Sequence, residues 1–224
     1  MIKFRHVSKI YDTGSRGVRD LTLTINDGEF VFIAGRSGSG KSTVIKLVTG
    51  ELEPNDGIIE VNGTFLHRLR KRDIPYYRRR LGVIFQDFRL LNDRSVYENI
   101  AFAQRVIGAS SMQIRKNVPR MLKLTGLTAK YKAMPYEISG GEQQKVAIAR
   151  ALINDPEVIL ADEPTGNLDE ASSMEIMKLL LEINRMGTTV IVVTHSEKII
   201  EALGKRVILM EKGSIVKDIP ARNV

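Results

Sequence analysis

Three short runs constrain this chain more than anything else in it. "EFVFIAG" at 29–35, "EVILAD" at 157–162 and "TTVIVVTH" at 188–195 are almost continuously apolar and stop on Gly, Asp or His. A strand with one face in water alternates, whereas one that is apolar at nearly every position is buried on both faces, as in a parallel sheet covered on two sides. Helical stretches separate the runs, so the chain predicts an α/β fold with a mostly parallel central sheet. Alternations in "IKFRHVSKIY" and "LTLTI", with the Asn62-Gly63 pair inside "IIEVNGTFL", predict an N-terminal portion that is partly antiparallel and contains a tight hairpin. From about 95 to 154 strand signals vanish, and the pattern predicts helices broken at Gly108, Gly126 and Pro135. "RVILMEKGSIVKDI" near the end predicts a second hairpin around Lys212-Gly213.

The first buried run leads into "GRSGSGKST" at 35–43, in which Gly35, four residues and then Gly40-Lys41-Ser42 form a phosphate-binding loop pattern. Glycines let backbone N–H groups converge on phosphate oxygens, and the following helix adds the positive end of its dipole. Gly35, Ser37, Gly38, Ser39, Gly40, Lys41, Ser42 and Thr43 are therefore the candidate phosphate ligands, with Lys41 neutralising phosphate charge and the Ser42 hydroxyl ligating Mg²⁺. The second buried run ends on Asp162-Glu163, at the strand end where open α/β sheets place ligands. Asp162 is the candidate for the Mg²⁺ shell and Glu163 for polarising an attacking water. A third element, "ISGGEQQKVAIARAL" at 138–152, opens with Ser139 and Glu142 spaced as a capping box. Its two glycines leave the first N–H groups unobstructed, so the chain carries a second anion-reading helix start.

In combination these motifs resemble the ATP-binding-cassette (ABC) ATPase family over essentially the whole chain. The phosphate loop, "ISGGEQQ", "VILADEP", "TGNLD" at 165–169 and "VTH" at 193–195 stand in the family's order and spacing. The resemblance implies a P-loop NTPase core with an N-terminal antiparallel portion, in a single domain over 1–224: a RecA-like core at about 1–87 and 155–224, and an inserted helical subdomain at about 88–154. It implies an Mg²⁺-dependent ATPase in which Tyr11 stacks on adenine, Gln86 reaches Mg²⁺ and the attacking water, and His195 acts against the γ-phosphate. Ser139, Gly140, Gly141, Glu142 and Asp169 would contact the ATP held mainly by a second copy, so that a head-to-tail homodimer sandwiches two ATP molecules. Two departures, Ile138 where the family usually has Leu and Lys145 where it often has Arg, keep size class or charge.

"IPYYRRRLGVIFQDFRLL" at 74–91 is similar to the cell-division branch of the family, the FtsE-type ATPases. These pair with an FtsX-type integral membrane protein and control cell-wall hydrolases outside the membrane. Lipoprotein-releasing and macrolide-exporting ATPases match nearly as well in the five motifs, and a soluble ABC protein acting on nucleic acid is a further alternative. Charge bears on that last choice. The chain's net charge is +8, and residues 67–80 alone hold seven basic side chains and one acid. A nucleic-acid grip interleaves basic residues with stacking aromatics, as Tyr76-Tyr77 would provide; the other readings are a solvated helix leading into the strand that delivers Gln86, with a contribution toward anionic lipid headgroups. "DFRLL" at 87–91 is expected to line a groove for the membrane partner. With 43% hydrophobic residues, no cysteine, no apolar run near the roughly 20 residues that span a bilayer, and no signal-peptide pattern in "MIKFRHVSKIY", the expected place is the cytoplasmic face of the membrane.

Overall fold

The computed structural model describes residues 1–222. The chain begins with β1 (Ile2–Ile10), β2 (Arg16–Ile25) and β3 (Phe30–Ala34), then α1 (Lys41–Val48), β4 (Asp56–Val61) and β5 (Thr64–Phe65). After α2 (Ile74–Arg78) and β6 (Leu81–Ile84) come three helices, α3 (Val96–Val106), α4 (Ser111–Leu124) and α5 (Gly140–Leu152). The rest alternates: β7 (Val158–Asp162), α6 (Glu170–Arg185), β8 (Thr189–Thr194), α7 (Glu197–Leu203), β9 (Arg206–Glu211) and β10 (Ser214–Ile219).

Two sheets form, an antiparallel one in the order β2-β1-β4-β5 and a larger one in the order β10-β9-β3-β8-β7-β6. The larger sheet is parallel from β9 to β6, and β10 adds an antiparallel edge. The continuous apolar runs are explained by which neighbours each residue meets. Val31 and Ile33 of β3, Val158 and Leu160 of β7, and Ile191 and Val193 of β8 join one apolar cluster with α1 and the antiparallel sheet. Their alternating neighbours, Phe30 and Phe32, Ile159 and Ala161, and Val190 and Val192, join the other with α3 to α6. Each such side chain stabilises the fold by about 1.5–3 kcal/mol through burial, so a charge at Ile191 or Val192 would break the sheet's packing from either side.

Both hairpins fall where expected. Asn62 (φ 46) and Gly63 (φ 76), like Lys212 (φ 49) and Gly213 (φ 86), are left-handed pairs that close two-residue turns between Val61 and Thr64 and between Glu211 and Ser214. Left-handed geometry at both central positions matches the right-handed twist of the strands they join. The second hairpin is more than a terminal appendage, since β9 pairs in parallel with β3, Val31 opposite Arg206 and Ala34 opposite Leu209. Residues 96–152 contain helices and short 3₁₀ turns and no strand. No helix among the described residues is long and apolar enough to cross a membrane.

Candidate active site

The phosphate-loop pattern sits between β3 and α1, at the carboxyl edge of the parallel sheet. Gly35 (φ 151) and Gly40 (φ 102) have no room for a side chain: a Cβ on Gly35 would stand 2.3 Å from the Met210 carbonyl oxygen, and one on Gly40 would stand 2.2 Å from that of Gly17. No side chain caps the N-terminus of α1, and its first turn holds no acidic residue. The N–H groups there remain open to a cavity of about 790 Å³, whose walls include Tyr11, Lys41, Ser42, Gln86, Glu163 and His195. Gly38 and Thr43 also line it, whereas Ser39 and Gly35 lie behind, supporting the loop.

Lys41 is largely buried, and its ammonium donates to the carbonyls of Gly35 (2.7 Å) and Arg36 (3.0 Å), so its charge is met by the loop it belongs to. The Ser42 hydroxyl donates to Asp162 Oδ1 at 3.3 Å, which brings the end of β7 to the first turn of α1. Burial pushes the Asp162 carboxyl above its ordinary range, opposed by the Ser42 bond. Such a carboxylate is suited to a cation. The donor set, a hydroxyl, a carboxylate and the Gln86 amide, is hard oxygen chemistry and fits Mg²⁺, with the remaining positions left to phosphate and water. No cluster of three His, Cys, Asp or Glu capable of holding a metal occurs among the described residues.

Glu163 follows with φ 47, and its N–H donates to the Val193 carbonyl at 2.9 Å. That anchor between β7 and β8 turns the carboxylate toward the cavity, where Oε1 lies 2.8 Å from His195 Nδ1. With the carboxylate ionised, the His195 Nδ1–H donates this bond. The Tyr11 hydroxyl is 3.0 Å from Thr43 Oγ1, which fixes the ring over the start of α1. Gln86 Nε2 donates to Asn167 Oδ1 (3.2 Å) while Asn167 Nδ2 donates to the Gln86 carbonyl (3.1 Å).

The second helix start that the sequence marks as a candidate anion site is elsewhere. Ser139, Gly140, Gly141 and Glu142 do not line the phosphate-loop cavity. Glu142 N–H donates to Ser139 Oγ (3.2 Å) and Ser139 N–H to Glu142 Oε2 (2.9 Å), closing the capping box. The backbone bond from Ser139, together with its hydroxyl, holds the Glu142 carboxyl below its usual range. Glu142 thus shapes the helix start. Asp169 caps α6 by accepting from Ser172 N–H at 2.9 Å, and that bond lowers its carboxyl in the same way. Leu168 and Ser172 pack against Gly140 and Gly141, so the two caps are neighbours outside the cavity.

Several residues at the site had no role in the sequence reading. Arg16 and Arg36 line the cavity and add positive charge; their closeness to Tyr11 and to the phosphate loop in sequence was the available signal. Asn167, inside "TGNLD", gave no chemical signal without its contact to Gln86.

Comparison with known proteins supplies the family. Residues 18–166 match the family model described as ABC transporter. The cell division ATP-binding protein FtsE of Bacillus subtilis is 47% identical over 218 residues, 97% of this chain and 96% of that protein. FtsE of Escherichia coli is 45% identical over 215 residues, covering 96% and 97%. Among solved structures, the dimeric post-hydrolysis state of the ATP-binding cassette MJ0796 with ADP and Pi superposes with a TM-score of 0.89 at 34% identity over the full length of both chains. The cassette cbiO1 of Clostridium perfringens gives 0.91 at 30% identity, covering 98% of this chain and 88% of that one. A phosphate loop, an acidic strand end and a glycine-opened capping box, in one order across a shared fold, make this chain a member of the ABC transporter family, one of its ATP-binding subunits.

Proposed function

We propose that this chain is the Mg²⁺-dependent ATPase subunit of a cell-division ABC complex, working as a homodimer on the cytoplasmic face of the membrane with an FtsX-type membrane protein and so controlling cell-wall hydrolases. The observation that carries hydrolysis is Glu163: a carboxylate on the wall of the phosphate-loop cavity, oriented by His195 at 2.8 Å. The cell-division role rests on the FtsE relatives, which match over nearly all of both chains.

In this reading the open first turn of α1 and Lys41 bind the phosphates, Lys41 leaving the carbonyls it now serves, and Tyr11 receives the adenine. Mg²⁺ held by Ser42, Asp162 and Gln86 would supply charge stabilisation at the phosphate oxygens. Glu163 takes the proton of the attacking water on its carboxylate, and His195, turned by the Glu163 bond, presents Nε2 to the same space. Ser139 to Gly141 of the second copy complete the site with N–H donors, because within one chain they do not line the cavity. General-base catalysis contributes typically 10²–10⁴ in rate, and fixed donors around the phosphate supply the rest.

Glu163→Gln is expected to lower turnover by about 100-fold or more while ATP binding persists and a stable dimer accumulates. Wild-type turnover in that variant would overturn the assignment. Purification from the native cell tests the complex: a co-purifying membrane protein with few spanning helices and a large extracytoplasmic part is expected, whereas a lipoprotein-releasing or drug-exporting permease would replace the cell-division reading.

A further inference from the structure

The loop that carries Gln86 is gripped by α5 on both sides of that residue. Before it, Gln144, with no exposed surface, donates from Nε2 to the Phe85 carbonyl (3.4 Å) and the Pro164 carbonyl (2.7 Å). After it, Arg150 donates from Nη2 to the Phe88 carbonyl (2.8 Å) and from Nη1 to the Arg89 carbonyl (2.5 Å). Those acceptors belong to two successive non-glycine residues in the left-handed region, Phe88 at φ 56 and Arg89 at φ 48. Side chains with a Cβ seldom hold that conformation unless their surroundings impose it.

The turn has consequences on both sides. It brings the Phe88 ring to the start of α5, where a Cβ on Gly140 would stand 3.8 Å from Phe88 Cζ. It sends the Arg89 side chain back over the Phe85 ring, 3.6 Å from its centroid. Gln86, between the two grips, is left to pair with Asn167. Arg150 forms no ion pair with a carboxylate among the described residues, and its charge is answered by carbonyl dipoles. Burial, and then the neighbouring Arg89, push its proton affinity below the ordinary value. The planar guanidinium fork matches two adjacent carbonyls in a way that a single ammonium does not.

We propose that Arg150 is a positioning residue for Gln86: it holds the Phe88–Arg89 turn left-handed, fixing Gln86 at the cavity wall and tying that loop to the helix whose first residues read the nucleotide of a second copy. This rests on the function proposed above for Gln86 and Ser139–Gly141. A guanidinium serving only the stability of the fold would lose activity and thermal stability together, and a change at Arg89 would not restore either.

The experiment is steady-state ATP hydrolysis and equilibrium ATP binding by the full-length chain carrying Arg150→Ala or Arg150→Lys. Expected are a fall in kcat of about tenfold for Arg150→Ala with the ATP dissociation constant within about twofold of wild type, and an intermediate fall for Arg150→Lys. Arg89→Gly added to either variant is expected to recover most of the loss relative to Arg89→Gly alone, since glycine occupies the left-handed region without a clamp. If Arg150→Ala does not fold, the Arg150→Lys pair carries the same comparison. Unchanged kcat in both variants, or no recovery on adding Arg89→Gly, overturns the proposal. Gln86→Ala separates the two readings. A large loss there with Arg150 variants at wild-type turnover sinks the positioning role alone, whereas wild-type turnover in Gln86→Ala removes the proposed role of Gln86 and the inference with it.

Discussion

Glu163 holds φ 47, a conformation that costs a non-glycine residue about 1 kcal/mol or more, and it does so at the end of a strand whose other residues are regular. The bond from its N–H to Val193 and the contact of its carboxylate with His195 hold it there. Its neighbour Asp162 stores a different unfavourable term, a carboxyl withdrawn from water with one hydroxyl donor. Because burial raises this group above its ordinary value of 3.8, ionisation is less favourable in the folded chain than in the unfolded one. The folded state is therefore favoured most below that value and loses the contribution as pH rises through the raised one. Asp162→Asn is expected to melt higher than wild type at neutral pH without Mg²⁺, with the gap closing in acid, while Mg²⁺-ATP stabilises the wild type more than the variant. Differential scanning calorimetry across pH checks both halves. An Asp162→Asn variant that melts lower at neutral pH would show that the Ser42 bond outweighs desolvation.

The basic stretch at 67–80 shows what an element can do that its charge count does not reveal. Tyr77, one of the two stacking candidates, is buried, and its hydroxyl donates to the Val48 carbonyl at 2.5 Å. Arg78 donates from Nε to the Thr49 carbonyl (2.9 Å) and from Nη2 to that of Gly50 (3.2 Å). These carbonyls close the C-terminal end of α1, the phosphate-loop helix, so α2 serves as a cap for it. Arg80 donates from Nε and Nη2 to the two carboxylate oxygens of Glu157, at 2.8 Å each, and joins the edge strand β6 to the start of β7. Only part of the stretch is solvated: Tyr76 stays 64% exposed, with the Arg79 guanidinium 4.6 Å from its ring centroid. Tyr77→Phe is expected to cost about 1–2 kcal/mol in chemical denaturation because a buried carbonyl loses its donor, whereas Arg72→Ala stays within about 0.5 kcal/mol. Equal effects of the two would remove the capping role.

At the scale of the whole molecule, one chain presents a phosphate-loop pattern on a cavity wall and a second, glycine-opened helix start outside that cavity. In the proposed homodimer, two copies placed head to tail would bring one of each to every site. Glu163→Gln leaves a chain unable to hydrolyse at its own phosphate loop, and Ser139→Arg leaves one unable to complete its partner's site. Each homodimer is expected to be inactive, and mixing the two is expected to restore measurable turnover, since one mixed-dimer site keeps both Glu163 and Ser139 intact. No activity on mixing, with both variants folded, would place the whole site within one chain. What the sequence determined by itself is local: strands apolar at nearly every position, a phosphate loop and a capping box each complete within nine residues or fewer, and two hairpin turns. Periodicity and spacing express these directly, because the forces behind them act between residues close in the chain. The tertiary structure alone decided that β9 lies beside β3, that α2 caps α1, that Asn167 faces Gln86, and that α5 grips the loop around that glutamine. Those contacts join residues from about 29 to 175 positions apart. Their partners are selected by burial and by the demand that every enclosed carbonyl find a donor, and neither leaves a pattern in neighbouring residues.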